Sequence, residues 1–211
     1  MDFDWTTITA IISAIAAVVA LVLSVWQTRI SNRQHLFDMK IRVWMVAWGM
    51  IELYGQHVRR FEKKDEPYLA LDQEFLWLTN NTYLHEAGNV VDSLLEANAR
   101  REFFAKIEEI RSMAESALYV FKGKEAKSIC SFLNDYGDLL LAMYQYQILL
   151  DDMQKRAGQF KWTLEEASSR LDEPSIRNEM HECMDRVDDS YESINSRKTK
   201  RRIVRQLKLF S

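Results

Sequence analysis

The chain begins with a long run of apolar and small residues that contains no charged side chain. The run covers residues 5–28, WTTITAIISAIAAVVALVLSVWQT. A helix of this length, rising about 1.5 Å per residue, is about 36 Å long and exceeds a hydrocarbon core of about 30 Å. Trp5 and Trp26 would lie about 31 Å apart along it, one near each interface. The pattern predicts a transmembrane helix over residues 5–28.

A cleaved secretory signal and a buried core helix both agree less well with this run. A cleaved signal begins with positive charge, whereas residues 1–4 carry two aspartates and no Lys or Arg. The run is also longer than the apolar part of a signal. The core helix of a soluble protein does not need so long a stretch without charge. We therefore expect a permanent membrane anchor.

The charges that flank the run predict its orientation. No Lys or Arg precedes it, whereas Arg29, Arg33, Lys40 and Arg42 follow it. Positively charged flanks remain on the cytoplasmic side. We predict a short extracytoplasmic tail over residues 1–4, a cytoplasmic domain over residues 29–211, and membrane-interface positions at Trp5, Trp26, Arg29 and Arg33.

Small and polar residues recur along one side of the predicted span. Their spacing alternates between four and three residues, which places them on one stripe of a left-handed supercoil. The stripe consists of Thr6, Ala10, Ser13, Ala17, Ala20, Ser24, Gln27 and Ser31. Small residues let membrane helices approach closely, so the stripe predicts a helix-association face. Its polar groups would alternatively line a wet path in a ring of subunits, and a chance pattern in an alanine-rich anchor is the third interpretation.

The helical pattern continues beyond the span without a proline. One apolar line consists of Phe37, Ile41, Trp44, Trp48 and Ile51, and a second consists of Leu36, Val43, Ala47, Met50 and Tyr54. Together the two lines form a face broad enough for the core of a helical bundle. The first strong break is the charged segment 63–67, which ends in Pro67. The sequence predicts one long helix from the membrane into the bundle.

The rest of the chain also has helical patterning. We predict helices over about 68–79, 84–99, 101–121 and 124–157, and a last helix that begins at Pro174. Lys122 and Gly123 are predicted to cap the third of these, and Asp172 to cap the last. Gly137 weakens the fourth helix by roughly 1 kcal/mol. With 6 Gly and 2 Pro in 211 residues, an all-β domain is excluded, and we predict an all-α fold with one cytoplasmic bundle.

Composition narrows the classes of protein further. The chain is 47% hydrophobic and carries 28 Lys and Arg against 31 Asp and Glu, which excludes a disordered protein. Its two cysteines, Cys130 and Cys183, cannot form a disulfide framework and indicate a reducing compartment. No phosphate-binding loop, dinucleotide-binding motif, nucleophile elbow or zinc-protease motif occurs in the sequence.

Three blocks of the sequence resemble uncharacterised bacterial membrane-anchored helical proteins. In that group a membrane span is followed by an "LFD" segment and a long helix. The matching block here covers residues 27–54 and contains Leu36-Phe37-Asp38. Residues 117–123 with Phe132-Leu133, and residues 207–210, are similar to two further blocks. The group has no assigned reaction, so the resemblance implies architecture. The general plan also resembles the membrane accessory proteins of type VI-B CRISPR systems.

Histidine and cysteine residues give little indication of a site. The four histidines are His35, His57, His85 and His181. A zinc site needs about four ligands, and His181 and Cys183 lie on different sides of a helix. We predict no metal and no cofactor.

The segment from Arg177 to His181 resembles, with a shorter interval, the Arg/Asn…His motif of helical HEPN ribonucleases. In those enzymes the Arg and the His act on the RNA phosphodiester, and the resemblance implies Arg177 and His181 as candidate nuclease residues. The other interpretation is a solvated pair one helical turn apart.

Charge is segregated near the C-terminus. Six acidic residues lie between Glu179 and Glu192, and a run of basic residues without acid follows: Arg197, Lys198, Lys200, Arg201, Arg202, Arg205 and Lys208. The run would bind anionic lipid, nucleic-acid phosphates or the acidic helix before it. Interspersed apolar residues make it amphipathic, which favours lipid or protein over nucleic acid.

These observations together predict a non-enzymatic, single-pass protein of a bacterial inner membrane. Its cytoplasmic bundle is expected to act as an anchor, scaffold or sensor that self-associates or binds a protein partner. The expected partners are the lipid bilayer, a second copy of the chain and a cytoplasmic protein, and nucleic acid is not expected. The alternatives are a homo-oligomeric pore or membrane-perturbing effector of an anti-phage defence system, and a membrane-tethered HEPN-like ribonuclease.

Overall fold

A computed structural model of the chain describes residues 5–57 and 63–207, with side chains from Ile8 onward. These residues contain helices and turns and no strand, so the predicted all-α fold is confirmed. The helices are α1 (Trp5–His57), α2 (Leu71–Thr79), α3 (His85–Gly88), α4 (Ala97–Val120), α5 (Gly123–Phe160), α6 (Leu164–Arg170), α7 (Glu173–Asn195) and α8 (Arg197–Gln206). A 3-10 turn, Asn89–Val91, follows α3.

Helix α1 is continuous over 53 residues and enters the bundle with its last turns. Val43, Ala47, Met50 and Tyr54 are buried, so the second of the two predicted apolar lines faces the core. The first line is only partly covered, because Phe37, Trp44 and Trp48 are half-buried and Ile41 is exposed. A single docked helix can turn only one side of its circumference toward its neighbours; that side carries the second line from Val43 onward together with Ile51 of the first line, whereas Leu36 is exposed.

Helix α5 is the centre of the bundle, with α4 packed on one side and α7 on the other. Both neighbours run antiparallel to it, as shown by the ring pair Phe103–Tyr144 and the hydroxyl pair Ser128–Ser193. A Cβ at Gly55 would lie 2.5 Å from the Tyr191 hydroxyl, so a glycine lets α1 approach α7 this closely. Gly137 is buried inside α5 without breaking it.

The predicted helix over 84–99 is wrong. In its place are the short α3, the 3-10 turn and a turn over residues 92–95, and α4 begins at Ala97. The Asn81 side chain accepts hydrogen bonds from the backbone N–H groups of Tyr83 and Leu84, at 2.9 and 2.8 Å, which favours a turn there. Leu84, Ala87 and Val90 are buried at intervals of three residues. This spacing suits a tight 3-10 turn as well as an α-helix.

The predicted caps agree with the structure only in part. Asp172 occupies the N-cap position of α7, as predicted, but its backbone is left-handed (φ 52°), its side chain makes no cap bond, and α7 starts one residue before Pro174. Helix α4 ends at Val120 with an extended Phe121, and Gly123, at φ +69°, begins α5 instead of capping α4.

Two features of the C-terminal third were not predicted. Helix α6 begins with a capping box, in which Thr163 and Glu166 bond each other's backbone N–H. The basic run is a separate helix, because the Ser196 side chain accepts a hydrogen bond from the Thr199 N–H at 3.3 Å and caps α8.

Candidate functional site

Helix α1 presents a long apolar surface that the bundle does not cover. Every side chain from Thr9 to Leu36 is exposed. Ile12, Val18, Leu21 and Trp26 are each at least 60% exposed. Contiguous apolar surface of this extent is unfavourable in water and marks an interaction site. An α-helix meets its own backbone hydrogen-bonding needs, so the segment is suited to lipid.

The predicted association stripe lies on the side of α1 that faces away from the bundle. Gln27 precedes Met45 by about five helical turns, and Ser31 precedes Gly49 by the same distance, so each pair projects in one direction. Met45 is 64% exposed, whereas Val43 and its line point into the core. Stripe members from Ala10 to Ser31 are exposed, and the side chain of Thr6 lies outside the described part of the chain.

The same side of α1 remains open beyond the predicted span. Ile41 and Met45 are exposed, and a Cβ placed on Gly49 would meet no atom within 4 Å. We name this surface the outer face of α1; it consists of the stripe from Ala10 to Ser31 together with Ile41, Met45 and Gly49, and the exposed Gln34 and Asp38 lie on the same side between Ser31 and Ile41. The outer face can receive a neighbouring helix without displacing the bundle.

Three of the four predicted interface residues lie within the exposed segment, near its C-terminal end. Trp26, Arg29 and Arg33 are exposed, and Trp5 is the first residue of α1, its side chain lying outside the described part. The Thr28 hydroxyl donates to the Ser24 carbonyl at 2.9 Å, so this polar group is bonded within the helix.

Arg177 is held by a buried carboxylate. Its Nε lies 3.3 Å from Glu173 Oε1, and the two side chains are 11% and 0% exposed. Glu173 also accepts hydrogen bonds from the hydroxyls of Tyr146 and Ser168. Because a buried carboxylate is costly unless it is paired and hydrogen-bonded, these three donors explain why Glu173 is tolerated there. The interpretation of Arg177 and His181 as a solvated pair is therefore wrong.

His181 has a different partner from Arg177. Its Nε2 lies 2.8 Å from the Tyr68 hydroxyl, which also accepts the N–H of Lys64 at 2.8 Å. Burial lowers the pKa of His181, and the charges of Lys63 and Arg177 lower it further. The histidine is therefore neutral near pH 7 and fastens the segment after residue 62 to α7. The structure places both nuclease candidates in contacts that stabilise this packing.

The remaining histidines and cysteines are dispersed. His57 stacks on Trp77 with ring centroids 5.6 Å apart, while His35 and His85 are exposed. Cys183 is buried and Cys130 half-buried, and burial raises the pKa of both thiols. Within residues 5–57 and 63–207, no three His, Cys, Asp or Glu side chains are grouped so that they could hold a metal ion.

Helix α8 carries the basic run and packs along α1. Ile203 is fully buried, the Lys200 ammonium lies 4.5 Å from the centroid of the Trp48 ring, and Arg202 pairs with Glu125 of α5 at 3.2 Å. Two acidic residues of α7 have partners elsewhere: Asp185 pairs with Lys63 at 2.6 Å, and Asp188 accepts from the Tyr54 hydroxyl at 2.7 Å. The ion pair of Arg202 therefore joins α8 to α5 and not to the acidic helix, and Lys208 lies outside the described residues.

A groove of about 930 Å³ lies at the end of the bundle farthest from the apolar half of α1. Its wall is mixed, with apolar residues such as Leu94, Leu150 and Met153 beside polar ones such as Asp151 and Lys155. The buried side-chain oxygen of Gln147, in the same wall, has no hydrogen-bond partner among the described residues. Sequence reasoning missed this groove because it depends on the turn over residues 92–95, where a helix was predicted.

Comparisons of the chain with models of protein families, with curated proteins and with solved structures gave no match.

Proposed function

We propose that this chain is a single-pass membrane protein, with the exposed segment of α1 crossing the bilayer and the helical bundle in the cytoplasm. The observation that supports it is the contrast within one uninterrupted helix. Residues 9–36 are exposed and mostly apolar, whereas four of the later residues, Val43, Ala47, Met50 and Tyr54, are buried in the bundle. A core helix would be buried throughout. A cleaved signal would have no reason to continue as the same helix into the folded body.

The charges of the chain support the proposed orientation. Arg29, Arg33 and Arg42 follow the apolar segment as exposed residues on α1, and the basic α8 contacts α1 farther along, at Lys40 and Trp48. Basic residues near a span are retained on the cytoplasmic side, which supports a cytoplasmic bundle. We propose the inner membrane of a bacterium as its location.

We further propose that the chain acts as a non-enzymatic scaffold that self-associates through the outer face of α1. Small residues there allow close approach of a second span, and the exposed Ile41 and Met45 would extend the contact into the cytoplasm. A second copy fits this face because the same 4-3 spacing exists on both helices. A cytoplasmic protein partner remains part of the proposal.

A charged residue in the exposed segment tests the membrane span. Val19→Arg places a charge near the centre of the span, which costs roughly 2.5–3.5 kcal/mol on an insertion scale. The variant should leave the membrane fraction or be extracted by alkaline carbonate, whereas the wild-type chain stays. Met45→Arg, on the same helix but outside the proposed bilayer, is the matched control and should be retained. Equal retention of all three chains would contradict the span.

The oligomeric state tests the association. Light scattering of the full-length chain in mild detergent should give a mass of at least two protein copies. A strictly monomeric mass in every detergent and in nanodiscs would rule out self-association. The proposal of a membrane span would be unaffected.

A conducting assembly is the second candidate function. It is favoured by the position of Ser13, Ser24 and Gln27, whose exposed polar side chains lie on the side of α1 away from the bundle. In a ring with the bundles outside, these groups would face the centre. Expression of the chain should then depolarise cells, and Gln27→Leu should reduce the effect. An unchanged membrane potential would dispose of this function.

A further inference from the structure

The bundle has one end that faces the proposed bilayer, and α8 helps to build it. Lys200 lies against Trp48, and six residues later the Lys40 ammonium donates to the Gln206 carbonyl at 3.0 Å. Helix α8 therefore runs along α1 toward the span. The Gln206 side chain exchanges two hydrogen bonds with the backbone of Lys122, at 2.8 and 3.2 Å, which joins α8 to the corner between α4 and α5.

We name this end the proximal face and define it by its exposed residues, Leu118, Tyr119, Lys122, Lys124, Arg201, Val204 and Arg205. Residues from α4, α5, α8 and the turn between α4 and α5 meet here, although they lie far apart in sequence. Of these residues, only Arg201 and Arg205 of α8 belong to the basic run that the sequence predicts as a binding patch.

The proximal face is strongly basic. Its exposed charges are all positive, and the nearby carboxylate of Glu125 is paired with Arg202. Lys40, beneath the face, is affected by this concentration of positive charge. Burial lowers the pKa of Lys40, and the positive charge of Lys122 lowers it further. A surface of this charge attracts an anionic partner.

The proximal face is also amphipathic. Tyr119 is 85% exposed, and Leu118 and Val204 are about half exposed. Exposed aromatic and aliphatic side chains among lysines and arginines are typical of residues that lie in the headgroup region of a membrane. Binding to nucleic acid would not need these apolar groups.

The proximal face reaches the headgroups when the span is tilted and long side chains bridge the remaining distance. Lys40 lies about 18 Å along α1 beyond Thr28, at about 1.5 Å per residue, and headgroups extend roughly 5–7 Å beyond the hydrocarbon, which leaves about 11–13 Å to bridge. Spans are tilted by about 20° on average, which brings one side of the bundle closer. The long side chains of the face cover much of the remaining gap.

We infer that the proximal face binds the anionic lipid headgroups of the leaflet from which α1 emerges. This inference rests on the proposed function, because the span determines which end of the bundle meets the membrane. Binding would hold the bundle at a fixed tilt against the bilayer. Without it, the bundle would be connected to the bilayer only by the exposed part of α1 that follows the span.

Lipid quenching of a fluorescent label on the full-length chain tests this inference. The label is attached to Val204→Cys in a chain with Cys130→Ala and Cys183→Ala, and a second chain carries it on Ser169→Cys, an exposed residue of α6 at the far end of the bundle. Nanodiscs contain a headgroup-linked quencher with or without phosphatidylglycerol. We expect quenching at position 204 to be about threefold stronger with the anionic lipid, to weaken with added salt, and to be absent at position 169.

Charge reversal identifies the residues responsible. Lys122→Glu with Lys124→Glu should abolish the lipid-dependent quenching. Arg100→Glu with Arg101→Glu, a matched pair of residues at the other end of α4, should preserve it. Quenching at position 204 that is the same in neutral and anionic discs, or unchanged by the first pair, would overturn the inference. So would salt-sensitive binding of a short RNA that the first pair abolishes while phosphatidylglycerol has no effect.

The two proposals fail in different ways. If the chain stays in the membrane under alkaline carbonate but shows no lipid-dependent quenching, only the proposed lipid contact of the proximal face is refuted. If carbonate extracts the chain, the membrane span is refuted, and the lipid contact that rests on it is refuted as well.

Discussion

The two halves of α1 are one helix in two environments. In the N-terminal half, Ile12, Val18 and Leu21 are 60% exposed or more, and in the C-terminal half, Ala47, Met50 and Ile51 are 1% exposed or less. Both halves have apolar residues at helical spacing. The difference is that other helices of the same chain cover the second half, and none of the described helices covers the first.

This contrast shows that apolar patterning alone does not say where a helix lies. In the C-terminal half the apolar line is bordered by charged residues such as Lys40, Arg42 and Glu52, which remain at or near the surface. Between Trp5 and Thr28, in the N-terminal half, no charged residue occurs on any side. A soluble protein has no means of covering such a helix all around with so small a bundle, whereas lipid does so directly.

The largest expected effect tests the packed interior around α7. Arg177→Ala leaves the Glu173 carboxylate buried without its cation, and breaking a buried pair in this way costs about 3–5 kcal/mol. Arg29→Ala, an exposed arginine in the N-terminal half of α1, is the control and should not change unfolding. Thermal unfolding in detergent measures both. An equal, small effect of the two changes would show that Glu173 is hydrated.

The next effect compares the same substitution in the two halves of α1. Ile51 is 1% exposed and Ile15 is 59% exposed. Ile51→Ala should destabilise the bundle by about 2–5 kcal/mol, because it removes packed methyl groups and leaves a cavity. Ile15→Ala should leave the unfolding of the bundle unchanged in detergent. A loss of stability from Ile15→Ala as large as from Ile51→Ala would mean that the N-terminal half packs on the bundle.

A smaller effect is expected from the outer face of α1. Ala17→Leu with Ala20→Leu adds bulk where two spans are proposed to meet, and small residues are what lets the backbones of two membrane helices approach closely. The variant should shift the detergent-solubilised chain toward monomer at a given concentration. Val18→Leu with Val22→Leu, on the opposite side of the helix from the stripe, is the matched control. If both pairs shift the mass equally, the stripe is not the association face.

The smallest effect is a pH dependence confined to the cytoplasmic half. Because the pKa of His181 is lowered in the folded chain, the unfolded chain binds the proton more readily. Its contribution to stability is present above about pH 6.5, the usual value, and is lost as pH falls below it. The wild-type chain should lose more stability between about pH 7.5 and 5.5 than His181→Gln does. His35→Gln changes an exposed residue of α1 and should behave like the wild type. Identical curves of stability against pH for all three chains would contradict the role given to His181.

Much of the fold was predictable because it depends on local pattern. The unbroken helix from the apolar run into the bundle, the buried line from Val43 to Tyr54 and the long α5 all follow from apolar spacing and the absence of proline. The short helix and 3-10 turn over residues 85–91 were not predictable from spacing, because intervals of three apolar residues suit both kinds of helix. The left-handed backbone of Asp172 has no signal in the apolar pattern either.

Less of the candidate sites was predictable, because they are formed by residues far apart in sequence. The exposed stripe is local and could be predicted as a pattern. The contacts of Lys122 with Gln206 and of Tyr146 with Glu173 depend on how separate helices pack. Arg177 pairs locally with Glu173, four residues earlier on α7, whereas only the tertiary packing gives His181 its partner, Tyr68.

Accessibility of single cysteines in membrane vesicles tests the central proposal most directly. In a chain without Cys130 and Cys183, a cysteine is placed at Val19 in the proposed span or at Lys161, an exposed residue after α5. A membrane-impermeant maleimide should label position 161 in inside-out vesicles and not in intact spheroplasts, and should label position 19 in neither. Labelling of position 19 from water, or of position 161 in spheroplasts, would contradict a membrane-spanning α1 with a cytoplasmic bundle.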